Sequence, residues 1–64
     1  MFNKNEIDFM KSLGINVNFE SLSEDTLVEI EDVVSEKLQK SGFDKDYNMT
    51  PDGKMCETIL DKLQ

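Results

Sequence analysis

An all-α fold of three short helices is predicted by three observations. Apolar residues recur at helical spacing in three separate segments, each segment opens on a capping residue, and no alternating run is long enough to build a sheet. The longest segment carries two opposed stripes: Leu27, Ile30, Val34 and Leu38 on one side, Asp25, Glu29, Asp32 and Glu36 on the other. At about 100° per residue these sets fall on opposite sides of one helix, which must bury the first stripe and display the second as a row of carboxylates.

The first helix is expected over 4–13. Asn3 can accept from the first-turn amides, Glu6 is placed to reach back as in a capping box, and Phe2 and Ile7 occupy the staple positions. Ile7, Phe9, Met10 and Leu13 form its apolar face. Gly14 stands where a left-handed residue ends a helix, with Ile15 available to fold back onto Met10. The second helix is expected over 24–40. Ser23 caps it, Leu22 and Leu27 are spaced as a staple, and Glu24 and Asp25 put negative charge at the positive end of the helix dipole. Lys37 and Lys40 lie in its last turn, and Gly42 is expected to take a left-handed cap that leaves Phe43 to cover Leu38. The third helix is expected over 51–63. Thr50 is the cap, and Pro51 suits the first helical position because its missing amide hydrogen would be unpaired there anyway. Met55, Cys56, Ile59, Leu60 and Leu63 share its apolar face.

Between the helices, Ile15, Val17 and Phe19 alternate with period two, as Tyr47 and Met49 do briefly. The connectors 15–22 and 43–49 are expected to pack against the core in extended form. At most a minimal β contact joins 15–19 to 47–49, because two strands this short are marginal in water. Lys-Ser followed by Gly and an apolar residue occurs at Lys11 to Ile15 and again at Lys40 to Phe43; this is shared helix-ending chemistry, not a repeat architecture.

A chain of 64 residues accommodates a single small helical domain, 1–64, with a small core. With 14 Asp plus Glu against 7 Lys plus Arg the net charge is −7, which repels phosphate backbones and anionic lipid and argues against direct nucleic-acid or membrane binding. There is no histidine and one cysteine, so neither an intrachain disulfide nor a thiol–imidazole metal cluster can form within one chain. Charge at Glu6 and Asp8 interrupts the start before any apolar run develops, against a secretory signal or membrane span, and the expected location is cytoplasmic. Richness in Asn, Lys, Ile and Asp suits an AT-rich bacterial or phage genome.

Four constellations bear on chemistry. Asp44, Asp46 and Asn48 match positions one, three and five of an EF-hand loop, and Asp52 can add an oxygen. Met49 replaces the glycine of position six and Met55 the bidentate glutamate of position twelve, which leaves at most weak divalent-cation (calcium) binding. Cys56 lies near a helix start, where a thiol pKa can fall, yet it projects between Ile59 and Leu63 and has no histidine base; a buried, inert thiol is the expectation. Paired carboxylates abound, but a hydrolase needs a cleft that raises one pKa, and a core this small does not supply one; the chain is not expected to be an enzyme or to hold a cofactor. The row Asp25, Glu29, Asp32 and Glu36 has three like-charge neighbour pairs, costing about 1 kcal/mol together. It is either a solvated face or a docking surface for a basic protein. On the apolar side, Met1, Phe2, Phe9, Phe19, Val28, Val33 and Phe43 are core residues by default, with a homodimer or partner contact as their other use. Met1, Met10, Met49 and Met55 either fill core gaps or line an adaptable groove.

Two likenesses accompany this reading. Tyr47 to Gly53 resembles the tyrosine, apolar, Thr, Gly pattern by which some winged-helix regulators leave a wing and enter a helix, which would imply a degenerate regulator. Helix 24–40 offers carboxylates where such a protein needs Arg or Lys. Over most of its length the chain resembles small acidic hypothetical proteins of low-GC Gram-positive bacteria and their mobile elements. Glu29 to Asp32, Gly42 to Tyr47 and Cys56 to Leu63 carry that likeness, which implies no activity. The leading expectation is a non-catalytic accessory module that docks through Asp25, Glu29, Asp32 and Glu36.

Overall fold

The computed structural model describes residues 2–63 and contains three helices, α1 (Lys4–Ser12), α2 (Glu24–Ser41) and α3 (Pro51–Lys62). Each begins where a side chain can satisfy the free amides of a first turn. Asn3 Oδ1 accepts from the Glu6 amide at 2.8 Å while Glu6 Oε1 accepts from the Asn3 amide at 2.9 Å, a complete capping box. Ser23 Oγ accepts from the Thr26 amide and Thr50 Oγ1 from the Gly53 amide, at 3.3 and 3.0 Å.

The core is Met10, Ile15, Ile30, Val34, Cys56 and Ile59, all fully buried, with Phe2, Ile7, Phe9, Leu13, Val17, Phe19, Leu22, Val33, Leu38, Met55, Leu60 and Leu63 packed around it. All three helices and the 15–22 connector contribute. The connector's alternation puts Ile15, Val17 and Phe19 inward and Asn16, Asn18 and Glu20 outward; it breaks at the exposed Ser21, after which Leu22 packs on the core. The end of α1 follows expectation, with Leu13 as the cap. Gly14 takes a φ of +90°, its amide donates to Lys11 O and that of Ile15 to Met10 O, and the reversed chain delivers Ile15 against Met10.

The end of α2 departs from expectation. Gly42 is right-handed (φ −75°, ψ −18°), and Phe43 is 48% exposed and not among the side chains packed on the core. The glycine is there for closeness. A Cβ on Gly53 would be driven into the Gly42 carbonyl, and one on Gly42 into Leu38. Thr50 fastens the junction: its amide donates to Gly42 O at 2.9 Å and its hydroxyl to Ser41 O at 2.8 Å. The α3 cap thereby satisfies carbonyls at the end of α2 that would otherwise lack partners, and the positive end of one helix dipole meets the negative end of the other.

The 43–49 connector is also corrected. It is not packed in extended form but doubles back, exposed, through a single antiparallel pairing of Phe43 with Met49; the minimal β contact is therefore internal to this loop and does not involve 15–19. Asp44 organises the turn. Its Oδ1 accepts from the Asp46 and Asn48 amides at 2.9 and 3.0 Å, its amide donates to Asn48 O, and its carbonyl accepts from Tyr47. Val28 is likewise exposed, whereas Phe2, Phe9, Phe19 and Val33 pack on the core; Met1 lies outside the described residues. Met10 is sealed in the core and Met49 is exposed on the loop, so these two methionines do not share a groove.

Candidate functional site

The α2 stripe that must be hidden is hidden: Ile30 and Val34 are fully buried, Leu27 and Leu38 half-buried. Helical geometry then fixes the other stripe. Asp25, Glu29, Asp32 and Glu36 lie within about 60° of arc on the opposite side, and all four are exposed. Their surroundings differ. Glu36 accepts from Lys40 Nζ at 2.6 Å, one helical turn on, and this bond holds its carboxyl below the usual carboxylate range. Among the described residues no cationic side chain lies within ion-pair distance of Asp25, Glu29 or Asp32, and none of these three accepts a hydrogen bond. Lys37, on the flank of α2, is turned toward Asp52 at 3.7 Å, in the first turn of α3. The ridge is thus three free carboxylates and one neutralised, carried by a helix whose far side is anchored in the core.

The oxygen-rich loop is arranged otherwise. Asp44 Oδ1 is occupied by two amides of its own turn, and Asp52 faces Lys37. Among the described residues no three His, Cys, Asp or Glu side chains are grouped to hold a metal ion. Beside the exposed Asp44, Lys45, Asp46 and Asn48, the loop also exposes Phe43, Met49 and Tyr47, the last 86% exposed with a φ of +64°. Sequence reasoning had no signal for this face, because Phe43 and Met49 read as ordinary core residues until the turn between them is known.

Cys56 is fully buried, and burial first, then Asp52, pushes its thiol up in pKa, toward the protonated and unreactive form. Shallow grooves mark the surface of the described residues. One, about 370 Å³, runs between the start of α1 (Asn3, Glu6) and the face of α3 (Lys54, Met55, Thr58); another, about 330 Å³, is lined by Leu13, Val33, Glu36, Lys37 and Lys40.

The charged pair that sequence reasoning missed is Glu6 with Lys62. Glu6 is 3% exposed, and both its oxygens accept from Lys62 Nζ, at 2.7 and 2.9 Å. Burial by itself would raise the Glu6 pKa; the bonds from Lys62 and from the Asn3 amide outweigh it and hold the carboxyl below its ordinary value. Separated by 56 residues, the two leave no pattern in a one-dimensional reading.

No helix among the described residues is long and apolar enough to cross a membrane. Comparison with protein-family models, curated proteins and solved structures finds no match.

Proposed function

We propose that this protein is a non-catalytic accessory module that binds a basic protein surface through the α2 ridge. One observation carries the reading: Asp25, Glu29 and Asp32 are exposed on one line and have no hydrogen-bond or ion-pair role in the fold among the described residues. Glu6, Asp44 and Asp52 do have such roles, for Lys62, the 44–48 turn and Lys37; other exposed carboxylates share the freedom of Asp25, Glu29 and Asp32, and what sets these three apart is their alignment along one face of the longest helix. The ridge repulsion costs about 0.2–0.5 kcal/mol per neighbouring pair, and a cationic partner would turn that cost into attraction. A net charge of −7 would add long-range steering toward such a partner.

Affinity capture from the native cytoplasm, with the wild-type chain and with Asp25→Asn, Glu29→Gln, Asp32→Asn combined, tests this. The wild type should retain a partner at low salt and lose it at high salt, and the neutralised chain should fail at both. Equal capture by the two chains would remove the ridge from the account.

A further inference from the structure

We infer that residues 2–22 form a strap across the α2–α3 hairpin, fastened by the Glu6–Lys62 ion pair, and that the strap opens as one unit while the hairpin stays closed. The polar bonding of the chain divides at that point. Among the described residues, every backbone and side-chain hydrogen bond made by residues 2–22 stays within 2–22, except the two from Lys62 Nζ to Glu6. The hairpin is knit differently. The backbones of α2 and α3 are in close proximity along their contact and meet at Gly42 and Gly53, where Thr50 adds its two bonds to the end of α2. Lys37 and Asp52 face each other beside that junction.

The strap is held by apolar contact besides its ion pair. Met10 and Ile15 are fully buried, and Ile7, Phe9, Leu13, Val17, Phe19 and Leu22 pack around them. Ile30, Val34, Cys56 and Ile59 belong to the hairpin, so an open strap leaves that pair of helices its own apolar contact. The seam also borders water: the groove of about 370 Å³ separates Asn3 and Asn5 from Pro51, Lys54 and Thr58 beside Glu6. A helix of nine residues is not stable in isolation, so α1 forms and dissolves with its seat. The ridge lies on α2 and is present in both states, so this inference stands apart from the partner reading.

Native-state amide hydrogen exchange on the full chain tests it, in the regime where rates report opening equilibria. In the wild type the amides of 7–12 should exchange together and about tenfold or more faster than those of Ile30, Val34 and Ile59. Thr50→Ala, which loosens only the hairpin, should speed the Ile30, Val34 and Ile59 amides roughly fivefold, the scale of a lost helix cap, and leave 7–12 within about twofold. Lys62→Met should speed 7–12 by about tenfold or more, while Lys62→Arg should hold them near the wild-type rate. One common rate for all three helices in the wild type would overturn the strap, a reading that needs no variant to fold. Exchange of 7–12 unmoved by Lys62→Met would overturn the fastening.

Discussion

Glu6 serves two structural ends with one carboxyl group, closing the α1 capping box and taking both bonds from Lys62. The two ways of breaking that pair are therefore unequal. Lys62→Met strands a nearly buried carboxylate and should cost about 2–4 kcal/mol, whereas Glu6→Gln keeps a capping oxygen and leaves a part-exposed ammonium that water can solvate, costing about 1–2 kcal/mol. Because the folded Glu6 pKa is depressed, the unfolded chain takes the proton first as pH falls. The stability from this carboxylate is whole above the unfolded value of about 4.3 and is lost as pH drops through the lower folded value. Denaturant melts of wild type and Lys62→Met should therefore differ near neutrality and converge in acid; a constant difference would show that Glu6 is not the group involved. Tyr47 is a different case, a bulky side chain at φ +64° with almost nothing to bury. Asparagine tolerates the left-handed region better, so Tyr47→Asn should stabilise the fold by about 0.5–1 kcal/mol, read as a raised Tm. A lowered Tm would mean that the ring makes a contact its exposure does not suggest.

Among the elements, the α2–α3 junction is the least forgiving of added atoms. Gly53→Ala would push a methyl group into the Gly42 carbonyl and should cost about 2–3 kcal/mol, while Gly14→Ala has open space and only a left-handed φ to resist it, about 1 kcal/mol. Thermal melts of the two variants, ranked in that order, check the assignment; the reverse order would refute the close approach. Gly14 and Gly42 also show what a sequence can disclose. Gly14 was legible, because a helix stop is written within a few residues: a periodic apolar face, then glycine, then Ile15 to fold back. Gly42 has the same local setting and a different reason: a Cβ there would strike Leu38, and its own carbonyl lies where a Cβ would stand on Gly53, eleven positions on. All three N-caps were legible for the same local reason. The 43–49 loop was not, because Asp44 turns the chain by accepting from the Asp46 and Asn48 amides, and the short alternation at Tyr47 and Met49 imitates an extended piece. The opposition of the ridge to the core stripe needed only helical period to be read, whereas the pairing of Glu36 with Lys40 removed one member that composition alone would have counted as free.

At the scale of the whole molecule, an 18-residue helix about 27 Å long lies within a body 38 Å in its longest dimension, so α2 offers an extended rigid edge. Its inner side is covered by both other segments, and its outer side carries free carboxylates that contribute repulsion and no bond to the fold. Neutralising Asp25, Glu29 and Asp32 should accordingly leave the helical content intact, change stability by less than about 1 kcal/mol because relieved repulsion is set against the lost dipole interaction of Asp25, and weaken partner binding strongly, the combination expected of residues kept for contact. The most direct test is the salt dependence of affinity for the captured partner, measured for the wild-type and the neutralised chain across the same ionic strengths. A steep loss of affinity in the wild type and a nearly flat, weak response in the variant is the predicted result; two parallel lines of equal affinity would contradict it.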